Sequence, residues 1–236
     1  MTRPTKQTMF KAFGNILGKL MTTHVELHAS ETCPECGSQL ARDAAGWGER
    51  PCEPLGTTQG GSPGVSPHQP AVWHCPNPDC PPQVLKRLTL WASPEAMDIR
   101  GCDAALVTQL VQRGLVRDAA EFYRLRYAEI VSLAGMDETK TRALWDAIAA
   151  SKQREAWRVL FGLAIPNLGA AEAQALCQPF ATLDELFAAG RERLVTLAGV
   201  TEVLACSLTH WYGDPVNRKL VQRLAKAGVN FQIRRS

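Results

Sequence analysis

Two cysteine pairs, Cys33-Pro34-Glu35-Cys36 and Cys75-Pro76-Asn77-Pro78-Asp79-Cys80, have the types and spacing best suited to chemistry in this chain. Each pair is closed by a turn of proline and small polar residues, so four thiolates can converge on one ion. Soft sulfur donors filling a shell of four leave no position for water, which describes a structural zinc site rather than a catalytic one. The predicted ligands are Cys33, Cys36, Cys75 and Cys80. Disulfides are the other use of such pairs. No secretory signal precedes these cysteines, however, and Cys52, Cys102, Cys177 and Cys206 are scattered without pairing logic. Cys52 lacks a close partner and His74 adjoins a ligand, so both are left out of the shell.

These thiols need a scaffold. In a chain of 236 residues, 45% hydrophobic content supplies a core for one large or two small domains. The formal charge of +3 announces no strong basic field, although from Pro82 onward lysine and arginine outnumber aspartate and glutamate 20 to 16. No apolar run approaches the roughly 20 residues that span a bilayer. Cysteines without a signal peptide point to a reducing, cytoplasmic setting. Residues 1–31 form a basic amphipathic segment, with Phe10, Phe13, Leu17 and Leu20 on one helical face and Lys6, Lys11 and Lys19 adding charge. Docking on its own protein is the first expectation for it; contact with an anionic membrane or a partner groove is the second.

Composition changes sharply between the cysteine pairs. Nine of the 15 prolines lie from Pro51 to Pro82, among many glycines, so this stretch cannot bury enough apolar surface to order itself. Residues 32–83 therefore read as a small four-cysteine zinc ribbon with a long flexible insertion at about 41–70.

From Val84 the pattern turns helical and repeats. Four short turns recur: Ile99-Arg100-Gly101-Cys102-Asp103, Leu133-Ala134-Gly135-Met136-Asp137, Ile165-Pro166-Asn167-Leu168-Gly169 and Leu197-Ala198-Gly199-Val200-Thr201. Their centres are separated by steps of 34, 32 and 32 residues. Gly, or Asn at the third turn, supplies the φ > 0 that so sharp a reversal needs. Helical patterns such as Ala104 to Gln112 and Thr139 to Ser151 follow the turns. Capping-box spacing at Asp118 and Thr182, an Asp214-Pro215 start, and Gly114, Gly190 and Gly228 at expected helix stops punctuate the rest. The prediction is a mainly α protein, a tandem helix-hairpin-helix domain over 84–228 preceded by the zinc ribbon and followed by a tail, 229–236. A tetratricopeptide array has a similar period, but its Trp, Gly, Tyr and Ala positions are not found here.

Each turn exposes main-chain N–H groups at the start of its second helix, and those groups with the helix dipole suit a phosphate oxygen. The candidate DNA-contacting residues are Gly101, Gly135, Asn167, Gly169 and Gly199, with Lys140 and Arg142 beside them. Such contacts fix backbone shape and read no base.

In this order the parts resemble the zinc-finger and helix-hairpin-helix region of bacterial NAD-dependent DNA ligase. The resemblance runs from about Thr32 to Gly228. It rests on Cys33-Pro34-Glu35-Cys36-Gly37, Cys75-Pro76-Asn77-Pro78-Asp79-Cys80-Pro81-Pro82-Gln83, Ala96-Met97-Asp98-Ile99-Arg100-Gly101, Ala147-Ile148-Ala149-Ala150-Ser151-Lys152 and Asp214-Pro215-Val216-Asn217-Arg218. It implies a structural zinc, hairpins that clasp duplex or nicked DNA through the minor groove, a role assisting ligation, repair or replication, and a bacterial, nucleoid-associated location.

The departures matter too. The family's adenylation, OB and BRCT domains find no match, and none of the eight lysines is followed by x-Asp-Gly, so NAD is not expected to bind and the chain is not expected to seal nicks alone. A separate adenylating ligase subunit is an alternative partner. The family favours a second glycine two positions after the first, which only Gly169 provides; Asp103, Asp137 and Thr201 stand at the other three places. Carboxylates there repel phosphate or cap their own helix, so the third and fourth hairpins are expected to bind best, and a helical scaffold without DNA binding is the competing reading.

Overall fold

The computed structural model describes residues 32–43 and 72–233. The amphipathic segment 1–31, the insertion after Asp43 with its Cys52, and residues 234–236 lie outside the described residues. The chain divides into two units, Met1–Thr32 and Cys33–Ser236, and the second holds the features that follow.

Two short strands, β1 (Ala41–Asp43) and β2 (Val72–His74), pair antiparallel with Ala41 opposite His74. This pairing takes residues 41–43 out of the expected insertion and returns the chain beside Cys75. Helix α1 (Pro81–Ala92) begins directly at the last cysteine, with proline in its first turn where a missing N–H costs nothing.

The helical repeat follows. The first hairpin joins α1 to α2 (Ala104–Gln112), and the second joins α3 (Tyr127–Val131) to α4 (Glu138–Ser151). The third joins α5 (Ala156–Gly162) to α6 (Ala170–Cys177), and the fourth joins α8 (Arg191–Leu194) to α9 (Glu202–Gly213). A 3-10 segment (Ala119–Arg124), α7 (Leu183–Ala188) and α10 (Pro215–Lys226) fill the remaining places. No helix among the described residues is long and apolar enough to cross a membrane.

One core runs through all four hairpins, from Leu88 and Trp91 through Ile130 and Leu160 to Phe180 and Leu224. At its first-half centre Trp91 is fully buried, edge-on to Tyr123 with ring centroids 6.4 Å apart. Gly162 lets α5 approach it. A Cβ there would lie 2.9 Å from Trp91 Cε3 and 3.3 Å from Ala96 Cβ, so this glycine serves close packing rather than a turn.

Sequence punctuation holds in part. Asp118 accepts from Ala120 N at 3.0 Å and Thr182 Oγ1 from Glu185 N at 3.1 Å, but the paired acids reach one residue further back, Glu121 to Arg117 N and Glu185 to Ala181 N. Gly114 and Gly228 end helices with φ of +68° and +82°. Gly190 follows α7 directly after its C-cap Ala189 and also serves as the N-cap of α8, with φ −69°. Residues read as a tail are tied down through Ile233: Asn230 N donates to Lys152 O at 2.8 Å, and Leu183 N to Phe231 O at 3.0 Å.

Candidate metal centre and nucleic-acid interface

The sulfurs of Cys33, Cys36, Cys75 and Cys80 all lie within 4.8 Å of one another. Two local turns bring them there. In the first, Gly37 N donates to Cys33 O at 2.8 Å and Cys33 N to Ser38 O at 2.7 Å, with Gly37 at φ +72°. In the second, Asn77 Oδ1 accepts from Asp79 N at 2.9 Å and Asn77 O from Cys80 N at 3.1 Å. Across the turns, Cys33 and Cys80 sulfurs are 3.7 Å apart, and those of Cys36 and Cys75 3.5 Å.

Metal–sulfur bonds of about 2.3 Å in a tetrahedron give sulfur–sulfur edges of about 3.8 Å, so these sulfurs can hold one ion. Without a cation, Cys75 and Cys80 are unfavourable to ionise. Burial pushes the Cys80 thiol up to about 12, with its neighbouring thiols adding to the effect, and raises Cys75. Cys36 is lowered to about 6 by the Ser38 hydroxyl and main chain, the hydroxyl oxygen lying 3.3 Å from the sulfur. The centre is joined to the helical domain through Cys80, whose carbonyl accepts Gln83 N at 2.9 Å and Val84 N at 3.0 Å as the N-cap of α1.

The four turns share one construction. Gly101, Gly135, Asn167 and Gly199 have φ of +81°, +78°, +63° and +78°, and all four are exposed. Their apolar flanks point inward, with Ile99, Leu133 and Ile165 buried. The residue after each centre donates back three positions: Cys102 to Ile99, Met136 to Leu133, Leu168 to Ile165 and Val200 to Leu197, at 3.1 to 3.2 Å.

The turns differ in what occupies the next amide. Asp103 accepts from Leu106 N at 2.8 Å, Asp137 from Lys140 N at 2.7 Å and Thr201 from Leu204 N at 3.2 Å. Gly169, the N-cap of α6, has no side chain to do so. The Glu172 carboxylate lies over that position instead, 2.5 Å from where a Cβ of Gly169 would stand.

The structure brings the hairpins together in pairs. Gln109 on α2 accepts from Ala134 N at 2.9 Å and donates to Ala134 O at 3.3 Å, which ties the first hairpin to the second. Asn167 Nδ2 donates to Ser207 Oγ on α9 at 2.9 Å and ties the third to the fourth. Between the first two lies a groove of about 590 Å³ bordered by Arg100, Gly101, Met136, Lys140 and Arg154.

The basic residues expected near the turns are engaged within the protein. Lys140 donates to Gly135 O at 3.1 Å, and Arg142 lies 3.5 Å from Asp146. Arg154 pairs with Asp98, Arg158 with Glu155, and the Lys152 ammonium sits 5.6 Å from the Tyr123 ring centre. Sequence reasoning missed Gln109 and Glu172, because a glutamine on a helix and an acid in a first turn carry no motif of their own.

The helix-hairpin-helix motif family matches residues 158–221, the third and fourth turns with their helices. DNA ligase of Rubrobacter xylanophilus is 34% identical over 206 residues, covering 87% of this chain and 27% of that protein. DNA ligase of Synechococcus sp. is 36% identical over 197 residues, covering 84% of this chain and 26% of that protein. This chain is similar to a segment of DNA ligases. DNA ligase 2 of Deinococcus deserti, 32% identical over 225 residues, extends the match to 92% of the chain and 29% of its own length. The chain thus spans about a quarter of the length of the DNA ligases it matches. At 92% of the chain, the match to the Deinococcus deserti protein takes in both the cysteine cluster and the hairpins.

Proposed function

We propose that this chain is a DNA-binding module that holds duplex or nicked DNA by its minor-groove backbone, without sequence preference, and assists ligation or repair. The observation that carries the reading is the four exposed turns whose positive-φ centres, Gly101, Gly135, Asn167 and Gly199, each lead into the start of a helix. Main-chain N–H groups there suit phosphate oxygens, and the helix dipole adds to the attraction. Gly169, at the third turn, is the one N-cap of the four hairpins without a capping side chain of its own, and a phosphate there displaces the Glu172 carboxylate that lies over it.

The cysteine cluster takes Zn²⁺ in this reading, because four soft sulfurs in a closed tetrahedral shell are the zinc arrangement of structural sites. Its role is to fix the start of α1. No adenylation chemistry is assigned to these residues, and NAD is not a ligand of this segment.

A second reading has one observation in its favour. Asp103, Asp137 and Thr201 each accept an amide that phosphate would otherwise engage, which suits a scaffold that has lost nucleic acid. Fluorescence anisotropy separates the two. With labelled nicked and intact duplex, the DNA-binding module saturates at low salt and weakens steeply as salt rises. No binding at low salt leaves the scaffold.

A further inference from the structure

Cations beside the hairpins are held by acids. Arg100 and Arg154 both face Asp98, Lys140 faces Asp137, Arg142 faces Asp146 and Arg191 faces Glu202. A charge already paired gives up that partner before it can serve a phosphate. The strongly amphipathic helix α10 is different. Arg218, Lys219 and Lys226 are exposed, and their side chains have no acid within 4.0 Å and no hydrogen bond to the protein among the described residues.

Helical geometry sets these three on one side. At 100° per residue, Arg218, Gln222, Lys226 and Lys219 fall within an arc of about 100°. Val221 and Leu224, which are buried, lie on the opposite side. Arg218 and Lys226 are about 12 Å apart along the axis, against about 3.4 Å of duplex axis per phosphate on each strand. Next to this face, Arg223 binds Asp118 and Glu121 and fixes α10 on the 3-10 segment.

We infer that the exposed face of α10, through Arg218, Lys219 and Lys226, is a second phosphate-backbone contact for duplex DNA, supplying most of the salt-dependent attraction while the hairpin turns supply geometry. The inference rests on the DNA-binding reading above. Its occupant is fixed by charge: three cations on one helical side, without an acidic partner among the described residues, match a polyanion.

The test uses the full chain and its R218Q/K219Q/K226Q variant, with zinc bound and matching thermal melts by circular dichroism. Binding of one labelled duplex is measured across a salt series. Removing three phosphate contacts reduces the magnitude of the slope of log affinity against log salt by about 2.7, and the single change K219Q reduces it by about 0.9. Wild-type binding with the same slope in the triple variant overturns the α10 contact and leaves the hairpin reading intact. Failure of the wild type itself to bind at low salt overturns both.

Discussion

Asp137 accepts the main-chain N–H of Lys140 at 2.7 Å, and the Lys140 ammonium turns back to lie 3.8 Å from the same carboxylate. At the second hairpin, then, one acid holds both the amide and the cation that a phosphate would use. Asp103 repeats the amide half of this arrangement at the first hairpin. The double change D103G/D137G frees both amides and removes two like charges. It is expected to tighten duplex binding by roughly fivefold, from about 1 kcal/mol for an exposed charge near phosphate, while Asp to Gly at an N-cap costs only a few tenths of a kcal/mol. Anisotropy titrations with a parallel thermal melt check both halves, and weaker binding in the variant contradicts the account.

One zinc per chain is expected by elemental analysis, and none in C33S/C80S. Because the Cys80 carbonyl caps α1, chelation loosens the ribbon and frays the first turn of α1, whereas the core around Trp91 and Phe180 keeps its helices. Circular dichroism before and after chelation should therefore retain most of the helical signal. Complete loss of helix on chelation contradicts this division.

Close packing at Gly162 gives a stability prediction independent of any ligand. The added methyl of G162A meets the Trp91 ring at 2.9 Å, and overpacking of this kind costs about 1–3 kcal/mol. Denaturant midpoints of the variant should fall accordingly. An unchanged midpoint would show that α1 and α5 separate more easily than their contact implies.

Stability should also fall at alkaline pH. Burial pushes the thiols of Cys102 and Cys177 from 9.0 up to about 12, and the Tyr123 hydroxyl from 10.0 up to about 12. The folded state favours the protonated forms, so their contribution is complete below about pH 9 and is lost as pH rises toward 12. Urea midpoints measured from pH 8 upward should decline, and C177A should decline less steeply than the wild type. Parallel curves for the two proteins remove Cys177 as a cause.

The hairpin architecture was legible because its signals are local. A glycine or asparagine between apolar residues, repeated at nearly constant steps, predicts a positive-φ reversal without any tertiary information, and α2 spans Ala104–Gln112 as its pattern indicated. Helix α4 starts at Glu138, one residue before the expected Thr139, because Asp137 completes its cap there. What sequence did not reveal depends on neighbours. Ala164 takes φ of +54° although alanine disfavours it, since Leu163 and Ile165 on either side are both drawn into the core. The pairing of β1 with β2 joins residues on either side of a long insertion, which no local pattern announces. The engagement of Arg154 with Asp98 is likewise a contact across 56 residues, invisible in a sequence where both read as solvated charges.

The most direct test of the turns as phosphate binders is a ¹H–¹⁵N correlation spectrum of the zinc-loaded chain titrated with duplex DNA. The main-chain amides of Gly101, Gly135, Asn167 and Gly199, together with those at the starts of the helices that follow, should shift first and furthest. Saturable binding that leaves those amides unmoved would contradict the account.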